Sequence, residues 1–296
     1  MKKSASFFIV LASVIWASLG IFGTEMSKMG FSSMQITSLR VTGAAIFFIL
    51  TLFFTDKSRF IIKTKDLWLF FAMGFGCVLS MSVLYFYTLV NTSMPVASIL
   101  LYTSPIWVIL ISAIVFREKI TWQKFIALIC AFAGCVLVSL NGGQTGEIGI
   151  WFFVTGLLSG LAYGMYSILG TFALKKYHPY TVTTDTFIFA AISSWFVANP
   201  METLSVAYEY THKPTVIAWM VLVGLITSYI PFMLYTIGLG KTSPGKAAVM
   251  ACTDPLTSTL LGFFIYAQKP SVMGMALILF AVLLVNNFGI TQKNTP

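Results

Sequence analysis

Long runs of apolar residues follow one another along the whole chain, and short polar stretches separate them. Most runs are about 20 residues long, the length that an α-helix needs to cross a hydrocarbon core of about 30 Å. They do not alternate apolar with polar positions, which excludes a membrane β-barrel. The pattern predicts ten transmembrane helices, at residues 5–26, 33–54, 67–90, 95–116, 122–140, 149–173, 180–200, 214–238, 243–265 and 270–290.

The composition agrees with this pattern. Of 296 residues, 58% are hydrophobic and 9% are charged, and the mean hydropathy is +0.89, whereas soluble domains carry about 25% charged residues. The first run follows Lys2 and Lys3 but is too long for a signal-peptide core, and no A-x-A site closes it, so it counts as a span. We therefore expect an all-α, multi-pass protein of the cell membrane, with a bacterial inner or plasma membrane as its location.

The net charge of +9 is explained by membrane topology and does not indicate a nucleic-acid partner. If the N-terminus is cytoplasmic, Lys28, Lys213 and Lys269 fall outside, and every other lysine and arginine except Arg40 falls inside. Positively charged loops resist translocation, so this asymmetry predicts that both termini are cytoplasmic.

Two segments 150 residues apart resemble each other. They are "YFYTLVNTSMPVASILLYTSPIWVIL", beginning at Tyr85, and "YTIGLGKTSPGKAAVMACTDPLTSTL", beginning at Tyr235, and their matches include Pro105 with Pro255. The comparison predicts a duplicated unit of five helices, residues 1–141 and 142–296. Because five is odd, the second copy enters the membrane from the opposite side, as in transporters built from inverted repeats.

The segments that close the two copies carry a resemblance to a known family. "TSPIWVILISAIVFREKITW" ends the first copy and "TDPLTSTLLGFFIYAQKPS" ends the second, each with a proline followed by a short charged loop. With Trp16, Gly20, Gly23 and Arg40, they make nearly the whole chain resemble the EamA-like family of the drug/metabolite transporter (DMT) superfamily. One departure is Gln268, which stands where the first copy has Glu118. The resemblance implies secondary transport of small metabolites such as amino acids, amines or drug-like compounds, with a central cavity between the repeats.

Asp254 is the acidic residue nearest the middle of a predicted span, about twelve residues into the ninth. An ionised carboxylate at that depth is costly unless it is paired, hydrated or protonated, so a functional role is the first hypothesis. It could pair with an amine of the substrate, or take up a proton that is coupled to transport. The alternative is structural: a protonated Asp254, or one that accepts hydrogen bonds from Thr253, Thr257 or Ser258, would only hold its helix in place.

Trp16, Tyr85, Tyr102 and Tyr163 lie at interior depths, and with Asp254 they form the predicted substrate-binding set. Aromatic faces attract ammonium groups by about 0.5 to 2 kcal/mol each, so the set favours an amine or amino-acid-like cargo, although any single aromatic could be ordinary packing. Pro105 and Pro255 each remove a backbone donor from a helix. They are predicted as hinges that expose polar backbone, with kinks that only set shape as the alternative.

Other polar residues within the spans have ordinary explanations. Arg40 is expected to extend towards the outer surface or to pair with Glu25. Asp185 is expected to contact Lys175 or Lys176, or to lie where the start of a helix favours an acid. The glycines of "GLLSGLAYG", at positions 156, 160 and 164, lie four residues apart on one helix face and predict close helix packing.

The sequence contains few other residues that could form a metal, cofactor or catalytic site. The four cysteines lie in predicted spans without metal-ligand spacing, His178 and His212 lie in or beside loops, and no nucleotide-binding motif occurs. We expect no cofactor, no metal site and no enzymatic activity. The partners are expected to be a small-molecule substrate, the lipid bilayer and, as a candidate coupling ion, the proton. A membrane receptor or scaffold and an intramembrane enzyme are the rival functions.

Overall fold

The computed structural model describes residues 2–140, 149–210, 213–266 and 271–288, and within these ranges the regular structure is helical, with no strand. The predictions for His212, Gln268 and Lys269 concern residues outside the described ranges. The helices of the first half are α1 Lys2–Trp16, α2 Leu19–Lys28, α3 Ser33–Thr55, α4 Leu67–Phe71, α5 Ser80–Asn91, α6 Met94–Leu101, α7 Ser104–Val115 and α8 Trp122–Leu140.

The helices of the second half are α9 Ile150–Leu174, α10 Pro179–Ser194, α11 Pro200–Glu209, α12 Lys213–Gly224, α13 Ile230–Leu239, α14 Pro244–Ala251, α15 Thr253–Tyr266 and α16 Val272–Phe288. Proline stands in the first turn of several of them, for example Pro179 of α10 and Pro244 of α14. A proline is tolerated there because the first turn has no intrahelical partner for its backbone N–H groups.

Eight helical stretches in the described ranges are long and apolar enough to cross a membrane. They correspond to eight of the ten predicted spans. The other two coincide with α10, which has 16 residues, and α16, which has 17, so both are shorter than the rest. α10 ends at Ser194, before the predicted end at residue 200, and a separate helix begins at Pro200. Ten crossings and cytoplasmic termini stay predictions.

Irregular turns recur at matching places in the two halves. A π-helical stretch, Ala72–Leu79, joins α4 to α5, and another, Leu225–Tyr229, joins α12 to α13. Likewise, α6 is separated from α7 at Tyr102 and Thr103, and α14 from α15 at Cys252. The breaks follow the shift of 150 residues, so the sequence repeat is accompanied by a repeat of local distortion.

Small residues bring the helices close together. A Cβ built on Gly160 would lie 2.5 Å from Thr103 Oγ1 and 2.6 Å from the Leu100 carbonyl oxygen, and one on Gly156 would collide with the Leu100 side chain. The glycine stripe of α9 therefore packs against the α6–α7 break, and its prediction as a packing surface is confirmed. Glycines also let α8 approach α16, because a Cβ on Gly134 would lie 2.7 Å from the Gly274 carbonyl oxygen.

The largest buried cluster is rich in aromatic rings. Trp16 and Phe187 both pack edge-on against Phe232, with ring centroids 5.0 Å and 4.8 Å apart, and Phe48 lies 5.3 Å from Phe187. Large apolar side chains also cover much of the outer surface, including Phe54, Phe196 and Phe264. Such a surface is stable in a hydrocarbon environment and costly in water.

Candidate functional site

The candidate site begins at the two helix breaks, which have the same local structure. The Thr103 hydroxyl donates to the Leu100 carbonyl oxygen at 2.6 Å, and the Thr253 hydroxyl donates to the Met250 carbonyl oxygen at 2.8 Å. Pro105 and Pro255 follow two residues later, in the first turns of α7 and α15. A proline has no N–H to give to the carbonyl four residues earlier, so each helix ends before its proline and a new helix begins.

Asp254 lies in the first turn of α15, directly after the second break. Its side chain is partly exposed, and Ser258 donates a hydrogen bond of 3.2 Å to its Oδ1. Thr253 and Thr257, the other proposed donors, instead bond to backbone carbonyls. Among the described residues Asp254 forms no salt bridge. The carboxylate therefore lacks a counter-ion within the described protein.

Three of the four aromatic residues predicted with Asp254 lie near it. Tyr85 of α5, Tyr102 at the first break and Tyr163 of α9 all lie within electrostatic range of its carboxylate. All three side chains are partly buried, and the Tyr85 hydroxyl lies 3.5 Å from Ser98 Oγ. These tyrosines come from both halves of the chain.

Trp16 and Tyr163 contribute to the wall of one narrow cavity. The other lining residues are Ser104, Val108, Gly164, Tyr166, Ser167, Phe232, Tyr235, Ala248 and Ala251. About 20 Å³ is accessible to the centre of a water molecule, enough for about one water. Trp16 itself is buried, and its ring lies against Phe232 and Tyr235. The cavity is therefore too small for a molecule of metabolite size in this arrangement of the rings.

Tyr166 and Tyr235 belong to the same wall although the sequence did not single them out as binding residues. The Tyr166 hydroxyl lies 2.9 Å from Thr236 Oγ1, and the Tyr235 hydroxyl lies 2.7 Å from Ser167 Oγ. The helical spacing of Tyr163 and Tyr166, three residues apart, placed both near one face of α9 and could have indicated this. Tyr235 is also the repeat partner of Tyr85.

The expectation for Arg40 is wrong. Glu25 pairs with Lys28, at 2.7 Å, and Arg40 does not extend to the surface, since only 6% of it is exposed. Its Nε atom is buried without a hydrogen-bond partner, and its guanidinium interacts electrostatically with Tyr163. The arginine therefore points into the protein, because α3 is packed on all sides over Gln35–Val41.

The contact expected for Asp185 is also absent. Lys176 instead donates to Asp66 Oδ1 at 2.7 Å, and Lys175 lies near the rings of Phe116 and Phe172. Asp185 Oδ2 is buried without a partner among the described residues. No group of three or more metal-ligating side chains occurs in the described part of the chain.

Matched helix breaks in the two halves of a helical membrane fold are typical of transporters built from repeats. The chain belongs to the EamA-like transporter family, whose model matches it twice, over residues 3–140 and 149–287. The two matches agree with the resemblance drawn from the sequence.

Similar proteins cover almost the whole chain. An "Uncharacterized transporter" of Archaeoglobus fulgidus is 28% identical over 96% of this chain and 99% of its own length. The "Uncharacterized inner membrane transporter YicL" of Salmonella typhimurium is 23% identical over 94% and 93%. A solved crystal structure with 18% identity covers 96% of both chains with a TM-score of 0.77, which shows a shared fold.

Together these findings establish a multi-pass transporter of the cell membrane. The family and the relatives are named as transporters and not as enzymes, in agreement with the prediction that the chain is not an enzyme.

Proposed function

We propose that the protein is a secondary active transporter of small amine-bearing metabolites, in which Asp254 binds the ammonium group. The observation that carries the proposal is the isolation of this carboxylate: it has one hydrogen bond, from Ser258, and no cationic partner among the described residues. A carboxylate that is only partly exposed within a membrane-spanning segment and has no counter-ion is unfavourable. A cationic substrate or a proton would each relieve that cost.

The aromatic surroundings support an amine over other cations. Tyr85, Tyr102 and Tyr163 lie within electrostatic range of the carboxylate, and Trp16 lines a narrow cavity together with Tyr163. Tyrosine and tryptophan faces attract ammonium groups and also pack against the apolar part of a metabolite. A small inorganic cation would gain less from such walls, since it prefers several oxygen ligands.

Alternating access between two inverted five-helix repeats, residues 1–141 and 142–296, is the proposed mechanism. The matched breaks at Tyr102–Thr103 and at Cys252 support it, because a broken helix can bend there with few hydrogen bonds to lose. Pro105 and Pro255 are proposed as the hinges. Packing of Trp16 on Phe232 and Tyr235 closes the cavity, so separation of these rings would open it on one side.

Proton coupling is part of the proposal. In the absence of cargo a proton would neutralise Asp254, and binding of an ammonium group would require its release. Cargo and proton would then occupy the same carboxylate in turn, so a proton gradient could drive transport.

Flux measurements in proteoliposomes test the function. A panel of metabolites is first screened by thermal shift on purified protein, since a ligand of the native state raises its apparent stability. With a stabilising amine, the wild type should show flux that responds to an imposed pH gradient, and Asp254→Asn should lose both flux and response. Full activity of Asp254→Asn would refute the role of this residue. Tight binding without flux would favour a receptor.

A further inference from the structure

The carboxylate of Glu118, in the loop after α7, lies beside the start of α14 in the other half of the chain. A Cβ built on Gly245 would lie 3.6 Å from Glu118 Oε2 and 3.8 Å from its Oε1. Glu118 also forms an ion pair with Lys124 of α8, and its Oε2 atom is buried without a hydrogen-bond partner among the described residues. One acid therefore connects an ion pair of the first half to the first turn of a helix in the second half.

The first turn of α14 is suited to attract this carboxylate. Its N-cap residue, Ser243, forms no side-chain hydrogen bond to the helix, and Pro244 is its first residue. The N–H groups of a first turn have no intrahelical partners, and the helix dipole adds partial positive charge there. Glu118 therefore supplies negative charge at a helix start that its own N-cap residue leaves without a side-chain cap.

The turn that places Glu118 is held in an unfavourable conformation. Arg117 has a φ of 52°, in the left-handed region, and the Glu118 N–H donates to the Ser112 carbonyl oxygen at 3.3 Å. The chain is thereby folded back over the end of α7. A non-glycine residue in this region is disfavoured and persists where surrounding contacts hold it. The contacts of Glu118 with Lys124 and with the start of α14 are contacts of this kind.

The two helices that meet at Glu118 also form part of the cavity wall. α7 and α14 contribute two lining residues each: Ser104, Val108, Ala248 and Ala251. The helices are in close contact between the cavity and Glu118, because a Cβ on Gly245 would lie 3.2 Å from Ile109 Cγ1. Separation of α7 from α14 would therefore open the cavity towards the end of the protein where Glu118 lies.

We propose that Glu118 is a latch, which holds the end of α7 to the start of α14 and keeps the cavity closed at this end. The predicted topology places this end in the cytoplasm. The inference rests on the proposed alternating access, because opening at this end requires the carboxylate to leave α14. Gln268 stands at the equivalent position of the second copy, so the sequence provides this acid in one half only. The ligand-free protein is therefore biased towards the state that is closed on the cytoplasmic side.

Distances between α7 and the start of α14 test the latch without any cargo. Val115, at the end of α7, and Lys241, just before α14, are both exposed. Each is replaced by cysteine and labelled with a nitroxide, in the full chain with its four native cysteines replaced by alanine. Pulsed electron paramagnetic resonance of the purified protein in lipid nanodiscs then gives the distribution of distances between the labels.

The labelled chain with Glu118 intact should show one main distance. Glu118→Gln should add a longer distance and raise the ratio of open to closed molecules by about 10- to 100-fold, the effect of a lost interaction of a charged group. Exchange of the pair, Glu118→Lys with Lys124→Glu, should open the protein as well, because it turns a positive charge towards the start of α14. Glu25→Gln is the control: it removes the acid of an ion pair within α2 and should leave the distances unchanged.

The outcomes separate the latch from the proposed function. An unchanged distribution in Glu118→Gln, with or without a lower melting temperature, would overturn the latch. Closure retained in the exchanged pair would also overturn it, since the ion pair of the first half would then be sufficient. Flux of amines in proteoliposomes is measured separately, so the proposed function would stand in both cases. Absence of flux for every amine, together with a longer distance in Glu118→Gln, would refute the proposed function and retain the latch.

Discussion

The Ser258 hydroxyl lies 3.2 Å from Oδ1 of Asp254, one helical turn further along α15, and donates to it. This is the one hydrogen bond that the carboxylate receives from the described residues. One bond to a neutral hydroxyl compensates little of the cost of a charge that is only partly exposed. The fold therefore gains little from Asp254, and a structural role for this residue is disfavoured.

The contrast between Ser258 and Asp254 gives a first prediction. Ser258→Ala should keep most of the transport activity and lose about 1 kcal/mol of stability or less, the net contribution of an ordinary hydrogen bond. Asp254→Asn should lose transport at least about tenfold, since a charge-assisted contact is removed, yet melt no lower than the wild type. Both are measured by thermal denaturation in detergent and by flux. A marked drop in the melting temperature of Asp254→Asn would support the structural alternative.

Close packing at the first break gives a second prediction. Gly160→Ala would place a Cβ 2.5 Å from Thr103 Oγ1 and 2.6 Å from a backbone oxygen, which cannot move aside easily. We expect a loss of about 1–3 kcal/mol, as for other overpacked sites, and a further loss of transport because the break is displaced.

Gly76→Ala is the control for that substitution. Gly76 lies in the first π-helical stretch, and a Cβ there would have no neighbour within 4 Å. The same added methyl group should leave stability unchanged or raise it slightly, because alanine favours helices over glycine. Equal melting temperatures of Gly160→Ala and the wild type would contradict the packing described for α9.

The sequence predicted best those features of the fold that depend on a single local pattern. Apolar run length predicted helices that span the membrane, and the repeat predicted matching features near Pro105 and Pro255, because these depend on local chemistry. It also selected Tyr85, Tyr102 and Tyr163, which the fold brings to Asp254 from three different elements.

Side-chain direction was harder to predict, because it depends on which helices are neighbours. Arg40 could reach the outer surface if its face of α3 were free, but packing encloses that face. Lys176, an expected partner of Asp185, donates to Asp66 in another element. In both cases the nearest opposite charge in the sequence pairs with a different residue, Glu25 with Lys28 and Lys176 with Asp66.

The loop after α3 and the start of α10 carry a group of polar contacts between the two halves. Arg59 Nε lies 2.9 Å from Asp56 Oδ2, its Nη1 lies 3.2 Å from His178 Nδ1, and its carbonyl accepts from the Thr181 hydroxyl at 2.9 Å. His178 Nδ1 also accepts from the Tyr180 backbone N–H at 3.3 Å, which caps the start of α10. His178 therefore makes these contacts with a neutral imidazole ring.

Acidification should weaken the contact, which is the third prediction. Partial burial, and then the Arg59 guanidinium, hold the pKa of His178 below its ordinary value of 6.5, against the opposing effect of Asp56. The folded state thus binds the proton less readily than the unfolded state. The stability that His178 contributes is fully present above about pH 6.5 and is lost as the pH falls through the folded-state pKa.

Melting curves of the wild type and of His178→Asn measure this contribution. They are recorded between about pH 8 and pH 5, because histidine titrates in this range. Asparagine can still cap α10 through its side-chain oxygen but does not take up a proton in this range. The melting temperature of the wild type should fall more steeply than that of the variant below about pH 6.5, and the two should respond alike above it. Parallel curves over the whole range would contradict the prediction, since every other titrating group is common to both proteins. A steeper fall for the variant would place the protonated, not the neutral, histidine in the folded state.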